Sequence, residues 1–147
     1  MTSLSFPDIN VWVALSAMEH EHRQIARRWW ATCDGPIAFS RLSQLGLLRL
    51  LTTAAFMDGK PLTNLQALKV YDRFFEDSRV VFLAEMPGVE RQFRKNAAST
   101  TASPKLWADA WLLAIAQTTG GTLVTFDQAL ASRSSQCLLL GKERSRS

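Results

Sequence analysis

The chain has 147 residues, of which 47% are hydrophobic and 20% charged, and its formal net charge is +4. This length suits one domain with its own core, so we predict a single domain over 1–140 and a disordered basic tail over 141–147. Every apolar run is shorter than the roughly 20 residues that span a membrane, and the N-terminus does not resemble a signal peptide. The only two cysteines, Cys33 and Cys137, lack metal-site spacing, which favours a reduced, cytoplasmic setting.

Short β-rich runs alternate with helical patterns along the whole sequence. In order, we predict a strand that stops at Pro7, helices over 10–17 and 21–32, a strand over 36–40, a helix over 41–53 and a helix that follows Thr63. The second half predicts a strand over 80–83, helices over 89–97 and 105–117, a strand over 122–125, a helical turn over 128–131 and a strand over 137–140. Strands separated by helices indicate an α/β fold with a parallel sheet between helices.

The helix over 41–53 begins directly after the second strand. Leu45, Leu48 and Leu51 recur every three residues, and Leu42 and Leu47 widen the buried stripe that we expect them to form. At the start of this helix, Ser40 and Gln44 should face the edge of the sheet where the strands end. In open α/β sheets, ligands bind at that edge.

Two acidic residues follow predicted strands at this same edge. Asp8 comes directly after Pro7, which has no N–H and ends its strand, and Asp127 follows the strand over 122–125. Each Asp could also cap the helix that follows it, so neither alone indicates a site.

A third acid, Asp109, lies within an apolar helical segment. Its helical neighbours include Leu106 and Leu113, which offer no hydrogen bond, and a buried carboxylate requires a partner. Lys105 is one possible partner. The other is a cation shared by three acids, since crowded like charges repel and carboxylate oxygens suit Mg²⁺ or Mn²⁺.

Four segments together resemble a PIN-domain ribonuclease of the VapC toxin type. They are Phe-Pro-Asp-Ile-Asn-Val at 6–11, Ser-Arg-Leu-Ser-Gln-Leu-Gly at 40–46, Trp-Ala-Asp-Ala-Trp-Leu at 107–112 and Leu-Val-Thr-Phe-Asp at 123–127. The resemblance implies a three-layer α/β/α sandwich with a five-stranded parallel sheet. It also implies Mg²⁺- or Mn²⁺-dependent RNA cleavage by a homodimer that a small antitoxin inhibits. The implied metal ligands and catalytic acids are Asp8, Asp109 and Asp127, supported by Asn10 and Thr125.

The sequence departs from the family pattern at Gln44. Many PIN nucleases have a glutamate near the start of this helix, and no other acid takes its place here. An amide oxygen can bind a metal or a metal-bound water, but it cannot act as a base. The binding of a second metal is therefore an open alternative.

Several basic and aromatic residues are candidates for RNA contact. Arg41, Arg94 and Lys95 could bind phosphates, although a solvated face explains such residues equally well. Trp107 and Trp111 could stack on unpaired bases, but core packing is the expectation for both.

Two alternatives to an RNA-cleaving toxin remain open at this point. The chain could be a PIN-fold module that binds RNA or protein without cutting, which the loss of an acid at Gln44 permits. It could also be a haloacid-dehalogenase-like phosphatase with Asp8 as nucleophile, although such enzymes usually have a second acid where Asn10 stands.

Overall fold

The computed structural model describes residues 4–17 and 20–141, so most of the predicted tail lies outside the described residues. Five strands form one sheet in the order β3-β2-β1-β4-β5, and every neighbouring pair is parallel. The strands are β1 (Ser5–Pro7), β2 (Ile37–Phe39), β3 (Val80–Phe82), β4 (Thr122–Thr125) and β5 (Cys137–Leu139). The predicted five-stranded parallel sheet is therefore confirmed.

Seven helices are assigned within the described ranges, and their bounds are close to the predicted ones. They are α1 (Ile9–Ser16), α2 (Arg23–Thr32), α3 (Arg41–Leu51), α4 (Asn64–Phe74), α5 (Val89–Ala97), α6 (Leu106–Thr119) and α7 (Gln128–Ala131). Helix α6 runs two residues past its predicted end, to a left-handed Gly120. Across 4–17 and 20–141, none of the helices has the length and apolarity needed to cross a membrane.

Two apolar clusters hold the helices to the sheet. One joins α1, α2, α3 and α4 and contains Trp12 stacked on Phe39 with ring centroids 3.6 Å apart. The other joins α5, α6 and α7 and contains Leu113 and Leu123. The separation of the two clusters agrees with the predicted three-layer sandwich.

The order of the strands creates a switch point between β1 and β4. From β1 the chain builds outward through β2 and β3 on one side, and β4 and β5 lie on the other side. The N–H of Asp8 donates to the carbonyl of Val124 over 2.9 Å, so the strand ends are held side by side. Ligands of open α/β sheets bind at such a point, beyond the carboxyl ends of the strands.

Only part of the predicted stripe of α3 is buried. Leu47 and Leu51 are buried together with Ser43, whereas Leu45 is 56% exposed, so its predicted burial is wrong. Helix α1 packs closely against Gly46 of α3. A Cβ on Gly46 would come within 2.3 Å of Ile9 Cδ1.

Arg79 holds the end of α2 against the start of β3. Its Nη1 donates to the carbonyls of Trp30 (2.7 Å) and Cys33 (2.5 Å), and its Nε and Nη2 bind both carboxylate oxygens of Asp77. This arrangement satisfies carbonyls that the helix end leaves without intrahelical donors.

Candidate active site

Asp8 is positioned by the abrupt change from β1 to α1. Pro7 ends the strand, and Asp8 then caps the helix: its Oδ1 accepts the N–H of Asn10 over 2.9 Å and that of Val11 over 3.3 Å. Only 7% of Asp8 is exposed. The carboxylate is therefore held in one orientation at the switch point.

Thr125 connects Asp8 to Asp127. The fully buried Thr125 hydroxyl donates to Asp8 Oδ2 over 2.5 Å and accepts the N–H of Asp127 over 2.9 Å. Asp127 is exposed and caps α7, since its Oδ1 accepts the N–H of Leu130 over 3.1 Å. Capping leaves further lone pairs on both carboxylates, so it does not prevent them from binding a metal.

Asp109 lies in the first turn of α6 and is half-buried. Its carboxylate accepts no hydrogen bond and forms no ion pair with any residue of the described segments, including Lys105. Burial raises the pKa of Asp109, and the negative charges of Asp127 and Asp8 raise it further, while Arg133 lowers it. The charges of the other two acids therefore act on Asp109, as expected for a group near the same edge of the sheet.

The pKa of Asp8 is also raised, chiefly by burial and in smaller part by the charge of Asp127. The hydrogen bonds from Thr125 and from the N–H groups of Val11 and Asn10 act in the opposite direction. The charge of Asp127 thus acts on both Asp8 and Asp109, and repulsion between carboxylates favours the binding of a divalent ion.

The donor chemistry suits Mg²⁺ or Mn²⁺, but the acids are not gathered into a tight cage. Within the part of the chain that the structure covers, no three His, Cys, Asp or Glu side chains lie close enough together to form a metal cluster. Mg²⁺ commonly keeps several waters and binds only one or two carboxylates directly, so a looser set of acids fits this ion.

The Gln44 side chain is hydrogen-bonded to Arg41. Arg41 Nη1 donates to Gln44 Oε1 over 2.5 Å, and the Arg41 guanidinium lies 4.7 Å from the ring centroid of Phe82. Phe82 belongs to the edge strand β3, two strands away from β1. The amide oxygen of Gln44 is therefore held by an arginine on the β3 side of the site.

The remaining residues predicted to contribute to the site have exposed side chains. The Asn10 side chain is exposed, and it is the Asn10 backbone that binds Asp8. Arg94 and Lys95 are exposed on α5, where Arg94 Nε binds Glu90 Oε1 over 3.1 Å. Only Lys95 of this pair lacks an ion pair among the residues described.

The prediction of core packing is wrong for Trp107. It is 61% exposed at the start of α6 and touches only the edge of the apolar cluster, with its ring centroid 6.2 Å from that of Phe93. Trp111 does pack against the core, and its Nε1 donates to Glu85 over 2.8 Å.

Arg133 is a charged neighbour of Asp109 that the sequence did not indicate. Its Nη2 donates to the carbonyl of Asn96 over 2.6 Å, and the Asn96 side chain donates to the carbonyl of Ala110 over 3.1 Å. These bonds hold the guanidinium beside α6, close enough to lower the pKa of Asp109. Arg133 follows a short helix in a polar segment, and no pattern in that segment marks it.

Comparisons with known proteins agree with this architecture. The chain is 41% identical over 128 residues to Ribonuclease VapC41 of Mycobacterium tuberculosis, covering 83% of this chain and 88% of the relative. It is 29% identical over 136 residues to Ribonuclease VapC44 of the same organism, covering 84% of this chain and 86% of the relative.

Solved structures share the fold at low sequence identity. The crystal structure of Mycobacterium tuberculosis VapC20, described as a sarcin-ricin loop cleaving toxin, gives a TM-score of 0.67 at 16% identity over 88% of this chain and 95% of that one. A toxin–antitoxin complex from Klebsiella pneumoniae gives 0.61 at 14% identity, over 91% and 95% of the two chains. The PIN-domain family model matches residues 5–134, and the chain belongs to the PIN-domain family.

Proposed function

We propose that this protein is a ribonuclease toxin that hydrolyses phosphodiester bonds in RNA with the help of a divalent metal ion. The observation that carries the proposal is the 41% identity to Ribonuclease VapC41 over nearly the whole chain. The charges of Asp127 and Asp8, which raise the pKa of Asp109, support it. Membership of the PIN-domain family sets aside the phosphatase alternative with Asp8 as nucleophile.

In this proposal Asp8, Asp109 and Asp127 are the metal ligands and catalytic acids. They would hold a Mg²⁺ or Mn²⁺ ion, which would supply an activated water and neutralise charge that develops on the phosphate. Thr125 and the backbone of Asn10 orient the Asp8 carboxylate, because they occupy one lone pair on each of its oxygens. The Asp8 carboxylate is thereby held in one orientation.

Gln44 and Arg41 act as a pair in this proposal. Gln44 brings no charge to the acids, and its oxygen holds the Arg41 guanidinium instead. A guanidinium fixed in this way is suited to bidentate contact with an RNA phosphate. Arg94 and Lys95 remain weaker candidates for the same role.

The partners follow from the family and from the structural neighbours. A toxin–antitoxin complex among those neighbours supports a small antitoxin that inhibits this chain. We also propose a homodimer, since Leu42, Leu45 and Leu50 line an open apolar groove with Ala108 that a second copy would cover. The protein would act in the cytoplasm, where RNA is available.

The test is cleavage of total RNA by purified protein with Mg²⁺, with Mn²⁺ and with excess EDTA. We expect metal-dependent cleavage that falls by orders of magnitude in Asp109→Asn but not in Asp72→Asn, a matched change on the exposed face of α4. Cleavage that persists in excess chelator would contradict a metal-dependent mechanism.

Light scattering tests the proposed dimer. The substitution Leu45→Arg, in the apolar groove, should dissociate it.

A second candidate is a PIN module that binds RNA without cutting it. The uncharged Gln44 at a position that is often acidic is the observation that favours this candidate. The same assay separates the two functions: a non-cleaving module would bind labelled RNA at every Mg²⁺ and Mn²⁺ concentration and leave its length unchanged.

A further inference from the structure

Helix α2 presents a basic groove to solvent. Arg27 and Arg28 are exposed, and together with Arg23 they line a shallow groove of about 570 Å³ that contains one acid, Glu21. Arg23 and Arg27 are one turn apart, which places their side chains about 6 Å from each other along one face. None of these arginines was predicted to contact RNA.

The sequence of α2 keeps Arg27 and Arg28 free of acidic partners on their own helix. The positions three and four residues away from them hold Arg23, Gln24, Ile25, Trp30, Ala31 and Thr32. Elsewhere, by contrast, Arg94 pairs with Glu90 and Arg79 pairs with Asp77. Two arginines with no carboxylate one helical turn away are available to bind an external anion.

The N-terminal end of the groove adjoins the acidic site. The ring of His22, which precedes α2, stacks on Phe126 with centroids 4.4 Å apart, and Phe126 lies between Thr125 and Asp127 in the chain. Behind this stack, a Cβ on Gly141 would lie 3.3 Å from Ile25 Cδ1 and 3.7 Å from Phe126 Cδ1. Contacts on both sides of Phe126 therefore fix the groove next to Asp127.

We propose that the α2 groove binds the sugar-phosphate backbone of the RNA on one side of the cut. This inference rests on the proposed ribonuclease function. Three coupled carboxylates repel a polyanion, so a substrate strand needs cationic contacts beside them. Arg27 and Arg28 provide such contacts, and guanidinium groups match phosphate geometry. The His22–Phe126 stack offers a flat surface for an unpaired base where the strand reaches Asp127.

The test measures binding of a single-stranded RNA to the full chain by fluorescence anisotropy in excess EDTA, where the proposed metal-dependent cleavage does not occur. Arg27→Gln/Arg28→Gln should weaken binding about tenfold and make the slope of log Kd against log salt shallower by about 1.4, the value for two lost phosphate contacts. Lys69→Gln/Arg73→Gln, which removes two exposed charges from α4, should match wild type. Arg27→Lys/Arg28→Lys should retain most of the affinity and the slope.

Three outcomes would overturn the inference, and they can be told apart. Wild-type affinity and slope in Arg27→Gln/Arg28→Gln, with wild-type RNA cleavage intact, would remove α2 from RNA binding and leave the proposed function in place. Unchanged RNA binding with lost binding to an acidic antitoxin would assign the groove to a protein. A wild-type protein that neither binds nor cuts RNA would overturn the proposed function itself.

Discussion

Thr125 Oγ1 donates to Asp8 Oδ2 and accepts the N–H of Asp127, so one buried hydroxyl joins the acids at the ends of β1 and β4. The bond exists because these strands are neighbours: Pro7 pairs with Val124, one residue before Thr125. A hydroxyl that is buried and bonded on both sides fixes the direction of the Asp8 carboxylate.

Thr125→Val tests this connection with little change in side-chain shape. Loss of the hydroxyl leaves the N–H of Asp127 without its acceptor and Asp8 without its side-chain donor, at a cost of about 1–3 kcal/mol in the free energy of unfolding. We expect Mg²⁺ affinity and cleavage rate to fall by about 10- to 100-fold, as for other residues that orient metal ligands. Isothermal titration calorimetry and cleavage kinetics measure the two effects.

Thr125→Ser is the matched control, because it restores the hydroxyl without the methyl group. It should recover most of the metal affinity and of the rate. If Thr125→Val and wild type had equal Mg²⁺ affinity and equal rates, the hydroxyl would have only a structural role.

The raised pKa values of Asp8 and Asp109 predict how the metal-free protein responds to pH. Because each folded-state pKa lies above the ordinary value of 3.8, the folded state binds more protons than the unfolded state once the pH exceeds that value. The free energy of unfolding therefore falls as pH rises from about 4 through the raised pKa values. In excess EDTA, Asp109→Asn should remove part of this fall and raise the Tm near neutral pH.

Asp77 provides an internal contrast for this measurement. The hydrogen bond and charge of Arg79 hold its pKa below 3.8, so its contribution to stability is present above that value and is lost as the pH falls toward the lowered pKa. Asp77→Asn should therefore reduce the Tm at neutral pH, opposite in sign to Asp109→Asn. A metal-free Tm that is the same for wild type and Asp109→Asn from pH 4 to 8 would refute the electrostatic coupling.

Arg133 supports a third prediction. Removing its charge in Arg133→Gln should raise the pKa of Asp109 further, since Arg133 lowers that pKa in the folded chain. The acidic limb of the pH–rate profile should therefore move to higher pH, and KM for RNA should rise if the guanidinium also meets a phosphate. Arg91→Gln, an exposed change on α5, is the control. An acidic limb that does not move would place Arg133 outside the site.

The sequence predicted those parts of the site that depend on position along the chain. Pro7 ends β1 before Asp8, and Asp127 follows β4 and caps α7, so both acids could be placed at the ends of strands without coordinates. Asp109 was indicated by the mismatch between a carboxylate and its apolar neighbours. These inferences needed only local rules for strands, caps and burial.

The sequence could not predict contacts that depend on how the layers pack. Leu45 is exposed although Gly46 beside it packs against Ile9 of α1, and periodicity alone does not show which leucines of α3 a neighbouring helix covers. Arg133 lies near Asp109 because it binds the carbonyl of Asn96, which brings together α5 and the segment after α7. The proposed role of the basic face of α2 depends on the His22–Phe126 stack, a contact that the sequence does not reveal.

The bond between Arg41 and Gln44 leads to the last prediction. If Gln44 acts by holding Arg41, then Gln44→Ala frees the guanidinium and should raise KM about two- to fivefold with little change in kcat, since one hydrogen bond is worth about 1 kcal/mol. Gln44→Glu would retain the bond as an ion pair with Arg41, so it should leave the Mg²⁺ dependence of cleavage close to that of wild type.

A double-mutant cycle makes this argument specific. Arg41→Gln alone should raise KM more than Gln44→Ala does, because it removes the phosphate contact itself. Adding Gln44→Ala to Arg41→Gln should then have almost no further effect, since the amide no longer has a guanidinium to hold. If the effects of the two changes on KM were additive, Arg41 and Gln44 would act independently of each other. A Gln44→Glu protein that cleaves faster as Mg²⁺ rises would show instead that the side chain at position 44 reaches a second metal ion.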